Sequence, residues 1–141
     1  MSEAGGTSAA NVLVVAHRTA ATPRLIDEVR RRAQEGPCAF GLLVPADYWE
    51  ADTERAAAVI ELAAPLLEAA CGSHIDARVG NHDPFVAVRD ALAAGHFDEV
   101  IVSTLPERVS HWLRRDLPTR VQGLGVPVRV VIAEGRRATV L

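Results

Sequence analysis

Residues Asp98–Pro118 read DEVIVSTLPERVSHWLRRDLP. Within them Val100–Val102 is short, apolar and β-branched, the mark of a strand buried on both faces. It ends in polar Ser103 and Thr104 and leads into a helix that carries arginines. A buried strand feeding a helix belongs to a parallel α/β sheet, because parallel neighbours are joined by helical crossovers. In such sheets ligands are held at the carboxyl ends of the strands, so Ser103, Thr104 and the helix behind them are the first candidates for a site.

Working outward, the same alternation recurs along the chain. Asn11–Ala16 (NVLVVA) reads as a central buried strand that ends at His17, Arg18 and Thr19. Thr22 and Pro23 fit an N-cap and first helical position. The helix they open runs to about Glu35 on Leu25, Ile26, Val29 and Ala33, and Gly36 and Pro37 close it. Ala39–Val44 is the second strand. A helical run from Asp52 to Ala70 follows, in which Pro65 is expected to produce a kink or a split. His74–Val79 alternates as a strand near the sheet edge does. Gly80–Pro84 is a turn, and Asp83 caps a helix from Phe85 to Ala94. After Val100–Ser103 and the arginine-rich helix, Gly123 and Gly125 punctuate the chain before a last strand, Val126–Ala133. This order predicts a three-layer α/β/α doubly wound sandwich on a five-stranded parallel sheet, with residues 1–10 as a flexible tail and 11–141 as one domain.

Composition narrows the function. The net charge of -3 gives no general attraction to nucleic acid, aromatic residues are few, and the arginines are balanced by neighbouring acids. No apolar run reaches the ~18 residues that cross a bilayer, and Met1–Ala10 lacks the basic head and apolar centre of a secretory signal, so a cytoplasmic protein is expected. All fifteen basic residues are arginine. The absence of lysine excludes a Walker-type phosphate loop and Schiff-base chemistry on a side chain. Cys38 and Cys71 form no CxxC and read as ordinary buried thiols, and the scattered histidines predict no metal site.

Three loops should converge at the carboxyl edge of the sheet: His17–Thr22, Gly80–Asp83 and Ser103–Glu107. The candidate binding residues are His17, Arg18, Thr19, Asn81, Ser103, Thr104, Arg108 and Arg115. Helix N-termini would point free amides and positive dipole ends into the same crevice, which suits an anion such as a nucleotide phosphate. Thr104 and Glu107 also fit a capping box, and Pro106 removes one amide that a phosphate loop would use. No serine or cysteine sits in a nucleophile elbow, so no catalytic residue is assigned.

The five-unit pattern from Asn11 to Ile132 resembles the universal stress protein family. Val12–Ala16 is similar to its first strand, Val79–Pro84 to an extended form of the turn before its third helix, Asp98–Ser103 to its fourth strand, and Gly125–Val131 to its last. The resemblance implies an adenine nucleotide alpha hydrolase-like fold with strand order 3-2-1-4-5, ATP or another adenine nucleotide as ligand, and a homodimer through the last strand, Val126–Ile132, whose apolar edge invites pairing. The chain departs from the family where nucleotide is held. Ser103-Thr104-Leu105-Pro106 stands where a Gly-x-x-Gly turn begins, no glycine occurs from Phe97 through Gln122, and His17 replaces an acidic residue. No cofactor is therefore fixed by the residues.

Three readings stay open at this point. The first is a stress-protein-like regulatory or binding domain, non-enzymatic, with a degenerate nucleotide site. The second is a nucleotide- or phosphometabolite-binding protein that uses arginine side chains, Arg108 or Arg115, in place of the glycine loop. The third is a small hydrolase or transferase, favoured only if His17 approaches Ser103 or a bound water.

Overall fold

A computed structural model describes residues 9–46, 52–106 and 110–133. Met1–Ser8, Glu107, Arg108, Val109 and the tail with Gly135, Arg136 and Arg137 lie outside the described residues. The elements run β1 (Ala10–Val15), α1 (Pro23–Glu35), β2 (Cys38–Pro45), α2 (Asp52–Cys71), β3 (Asp76–Gly80), α3 (Pro84–Ala94), β4 (Glu99–Thr104), α4 (His111–Arg114), α5 (Leu117–Gln122) and β5 (Val128–Ile132). All strand pairs are parallel, in the order β3-β2-β1-β4-β5. The expected three-layer sandwich and strand order are thus what the chain forms.

The alternation of side chains along each strand divides the core in two. Val12, Val14 and Ala16 of the first strand segment, with Phe40, Leu42, Val44 and Ile101, pack under α1 and α2 against Leu25, Val29, Ala56, Ala63 and Leu67. Leu13, Val15, Leu43, Val100 and Val102 face the other way, onto Ala87, Val88 and Ala91 of α3 and Leu117 and Val121 of α5. Both faces of β1 and β4 are covered, which is why their sequences are continuous apolar runs. Gly80, at the end of β3, lies where α3 comes closest: a Cβ there would stand 2.8 Å from both Ala87 Cβ and Leu43 Cδ1.

One expectation about helices is narrowed and another corrected. Pro65 does not split α2, which is continuous from Asp52 to Cys71. Pro65 and Glu61 are both exposed, so the Glu61 carbonyl that loses its amide partner turns to water instead of being stranded in the core. Conversely, the single arginine-rich helix is two short ones. Pro118 has no amide to give and its ring would strike the carbonyl of Arg114, so the chain breaks at Asp116, which adopts the left-handed conformation (φ 59°, ψ 41°). The cysteines are free and half-buried, short of the full burial expected; burial pushes the Cys38 thiol up.

Ion pairs tie α1 to the far half of the sheet. Arg32 grips Glu99 of β4 through two bonds, Nε to Oε1 at 3.1 Å and Nη2 to Oε2 at 2.8 Å. Glu28 accepts from Arg31 Nη2 at 2.6 Å and from Arg129 Nη1 of β5 at 2.5 Å. Burial alone pushes the Glu28 carboxyl up, but the hydrogen bonds and charges of Arg31 and Arg129 outweigh it and hold the group below its usual value. A carboxyl held low stabilises the fold above its unfolded pKa of about 4.3, and that contribution disappears as pH falls through the lower folded value. Thermal melts of wild type and Glu28→Gln should therefore differ at about pH 6 and converge as pH falls below the lowered folded value. A difference that persists or grows in acid would refute the assignment.

Candidate crevice at the carboxyl ends of β1 and β4

Because β1 sits between β2 and β4, the chain leaves β1 towards α1 on one face and leaves β4 towards α4 and α5 on the other. Neighbouring strands whose exits diverge leave a crevice, the usual ligand position in open α/β sheets. Here that crevice is a cavity of about 500 Å³, within the range typical of small-molecule pockets. All three predicted loops reach it: His17, Arg18 and Thr19 from the first, His82 and Asp83 from the second, and Ser103, Thr104 and Leu105 from the third. Pro45, Ala46, Ser110, Trp112, Arg115 and Arg120 complete the walls. Leu105 and Trp112 line the space without filling it.

The floor is built from hydroxyls. Thr19, Ser103, Thr104 and Ser110 are each at most 5% exposed, and they are the buried polar residues among those described. The strand alternation that divides the core also divides them. Ser103 shares the face of Ile101 and meets the loop before α1, where its Oγ lies 2.6 Å from Thr19 Oγ1. Thr104 shares the face of Val102 and meets the segment before α4, where its Oγ1 lies 2.6 Å from Ser110 Oγ. A hydroxyl has one proton to donate and two lone pairs. Each pair needs one proton for its internal bond, which leaves each pair a second O–H to direct at a ligand.

Of the helix amides expected in the crevice, those at the starts of α3 and α4 are taken by side chains, whereas α1 and α5 carry no side-chain cap. Asp83 Oδ1 accepts from Phe85 N at 3.0 Å and Val86 N at 3.4 Å, and Ser110 Oγ accepts from Leu113 N at 3.0 Å. Ser110, not Thr104, therefore caps the helix that follows β4. Thr104 remains in the strand, paired with Ile132, and its capping-box partner Glu107 is outside the described residues. Thr22 stands at the cap position of α1, yet its hydroxyl donates back to the carbonyl of Thr19 at 2.8 Å. This closes the turn that presents Thr19 to Ser103.

Full charges in the crevice come from side chains. Among the described residues, Arg18, Arg115 and Arg120 line it with one carboxylate, Asp83, in a chain whose net charge is -3. Arg120 is held over the Phe85 ring, 4.4 Å from its centroid, a cation–π contact that fixes its stem. His17 is half-buried, with both ring nitrogens shielded from solvent. Asn81 does not line the cavity: its Oδ1 accepts from Asp83 N at 2.8 Å and shapes the turn before α3. Arg108 lies outside the described residues. Ser110 and Arg120 are the polar lining residues that the sequence reading did not single out. A serine two residues before the apolar pair Trp112-Leu113 was the available signal for the first, and the Pro118 break, which starts a new helix through Arg120, for the second. Among the described residues no group of three metal-ligating side chains comes together, and no helix is long and apolar enough to cross a membrane.

No family model and no curated protein matches the chain. Solved structures do. A universal stress protein from Archaeoglobus fulgidus superposes with a TM-score of 0.64 at 11% identity, over 86% of this chain and 93% of that one. A crystal structure of a universal stress protein in complex with cAMP superposes with a TM-score of 0.63 at 16% identity, over 90% of this chain and 100% of that one. At this identity the likeness concerns architecture, and it covers nearly the whole of both partners. The chain has the fold of the universal stress proteins.

Proposed function

We propose that this chain is a universal-stress-protein-like binding domain, non-enzymatic, whose crevice takes an anionic nucleotide through arginine side chains and hydroxyls in place of a glycine-rich loop. The observation that carries the reading is the open cavity of about 500 Å³ lined by Arg18, Arg115 and Arg120 above four buried hydroxyls. Side-chain cations in a net acidic protein concentrate anions locally, and arginine's planar fork suits phosphate oxygens. The cAMP held by a protein of the same fold supports a nucleotide as the class of ligand. Ser103 Oγ is engaged by the Thr19 hydroxyl, which is no general base, so a hydrolase reading gains nothing from this pair.

Calorimetric titration with ATP, ADP, AMP and cAMP tests this. Binding of at least one is expected, weakened by about tenfold or more in Arg115→Gln, the loss of one charge-assisted contact. No heat with any nucleotide would sink the reading. Self-association through β5 belongs to the same proposal, since Val130 and Ile132 are each 38% exposed on that outer strand. Light scattering that finds a monomer at every concentration would remove that part.

A further inference from the structure

The helix α2 is apolar on the side it buries and also on part of the side it exposes. Ala56, Ala63 and Leu67 are buried, while Leu62 is 65% and Leu66 42% exposed, with Ala58 also open to solvent. Ala58, Leu62 and Leu66 recur at four-residue spacing and so form one stripe. A contiguous stripe of exposed apolar side chains, unlike a single one, marks a contact surface.

The upper end of that stripe does not end on bare surface. A groove of about 350 Å³ runs between α2 and the loop after β1, lined by His17, Arg18, Arg55, Ala58, Val59 and Leu62. His17 and Arg18 are also walls of the crevice. The two spaces therefore adjoin, with Arg18 standing between them. One is floored by hydroxyls and ringed with arginine; the other takes Arg55, Ala58, Val59 and Leu62 from α2, and between the polar ends of Arg55, Arg18 and His17 its surface is mostly hydrocarbon. A surface that is mostly hydrocarbon removes an apolar group from water at a gain.

We infer that the ligand of the crevice is an amphipathic anion, with its charged group over the hydroxyl floor and arginines and its apolar portion along Ala58, Val59 and Leu62. This rests on the crevice being an anion site, as proposed above, and adds that its occupant continues past Arg18 onto α2. A soluble, monomeric amphiphile fits better than a bilayer lipid, because a chain of net charge -3 is not drawn to an anionic membrane.

Calorimetry with methyl phosphate and octyl phosphate, the latter below its micelle concentration, separates the two claims. Octyl phosphate should bind at least about thirtyfold more tightly, as burial of a few methylenes requires. Leu62→Asp, at an exposed position that the fold does not need, should erase that difference between octyl and methyl phosphate. Arg115→Gln should weaken both. Equal affinity for the two phosphates, or an octyl gain that survives Leu62→Asp, overturns the amphipathic ligand while leaving the anion crevice standing. If neither phosphate binds and AMP does not bind, the crevice reading and this inference fall together. Co-sedimentation with phosphatidylglycerol vesicles that Leu62→Asp abolishes would overturn the soluble amphiphile in favour of a membrane lipid.

Discussion

Ile101→Ala should lower the unfolding free energy by about 2–5 kcal/mol, and Ile101→Val by about 0.5–1.5 kcal/mol. Ile101 is fully buried. It pairs with Val14 of β1 on one side and Arg129 of β5 on the other, and it packs with the core beneath α1 and α2. Strands on both sides and helices above hold the site rigid, so the truncated side chain leaves a cavity that its surroundings cannot close. Urea denaturation is the check: the midpoint should fall with an unchanged slope. A loss below about 1 kcal/mol for the alanine variant would mean that β4 is not the covered central strand described here.

The second large effect concerns the floor of the crevice. Thr19→Val and Ser103→Ala should each lower stability by about 1–3 kcal/mol, because each leaves the other hydroxyl buried without its partner. The double variant should lose clearly less than the sum, since removing both polar groups removes the mismatch. Nucleotide binding should be lost in all three variants. Strictly additive stability losses would show that the 2.6 Å contact between these hydroxyls is not an energetic unit. Unchanged nucleotide affinity in the double variant would take the pair out of the site.

Much of this architecture was legible from residue type alone. Asn11–Ala16 and Val100–Ser103 are continuous apolar runs because strands in the middle of a parallel sheet are buried on both faces. Asp83 before Pro84 marked the start of α3 because side-chain oxygen and ring supply what that end of a helix lacks. The misreadings arise where surroundings that the local motif does not show decide the outcome. Thr104 and Glu107 have capping-box spacing, yet strand pairing with β5 extends through Thr104 and its hydroxyl goes to Ser110. Thr22 has the cap position, but its hydroxyl closes the preceding turn. Pro65 signalled a break that an exposed helix surface made unnecessary.

The site was legible in position more than in composition. The carboxyl ends of β1 and β4 followed from strand order, and His17, Arg18, Thr19, Ser103, Thr104 and Arg115 do meet around one cavity. Which hydroxyl pairs with which was not readable, because it depends on two loops leaving opposite faces of the sheet. Arg120 was hidden for a different reason: only the break at Asp116 turns its helix towards Phe85.

The most direct test of the crevice as an anionic nucleotide site is an amide and indole NMR titration of the intact chain with AMP. The account predicts saturable shifts at Thr19, Ser103, Thr104, Ser110 and the Trp112 indole, with β3 unmoved. No shift with AMP, ADP, ATP or cAMP at millimolar concentration, or shifts confined to residues away from the carboxyl ends of β1 and β4, would contradict it.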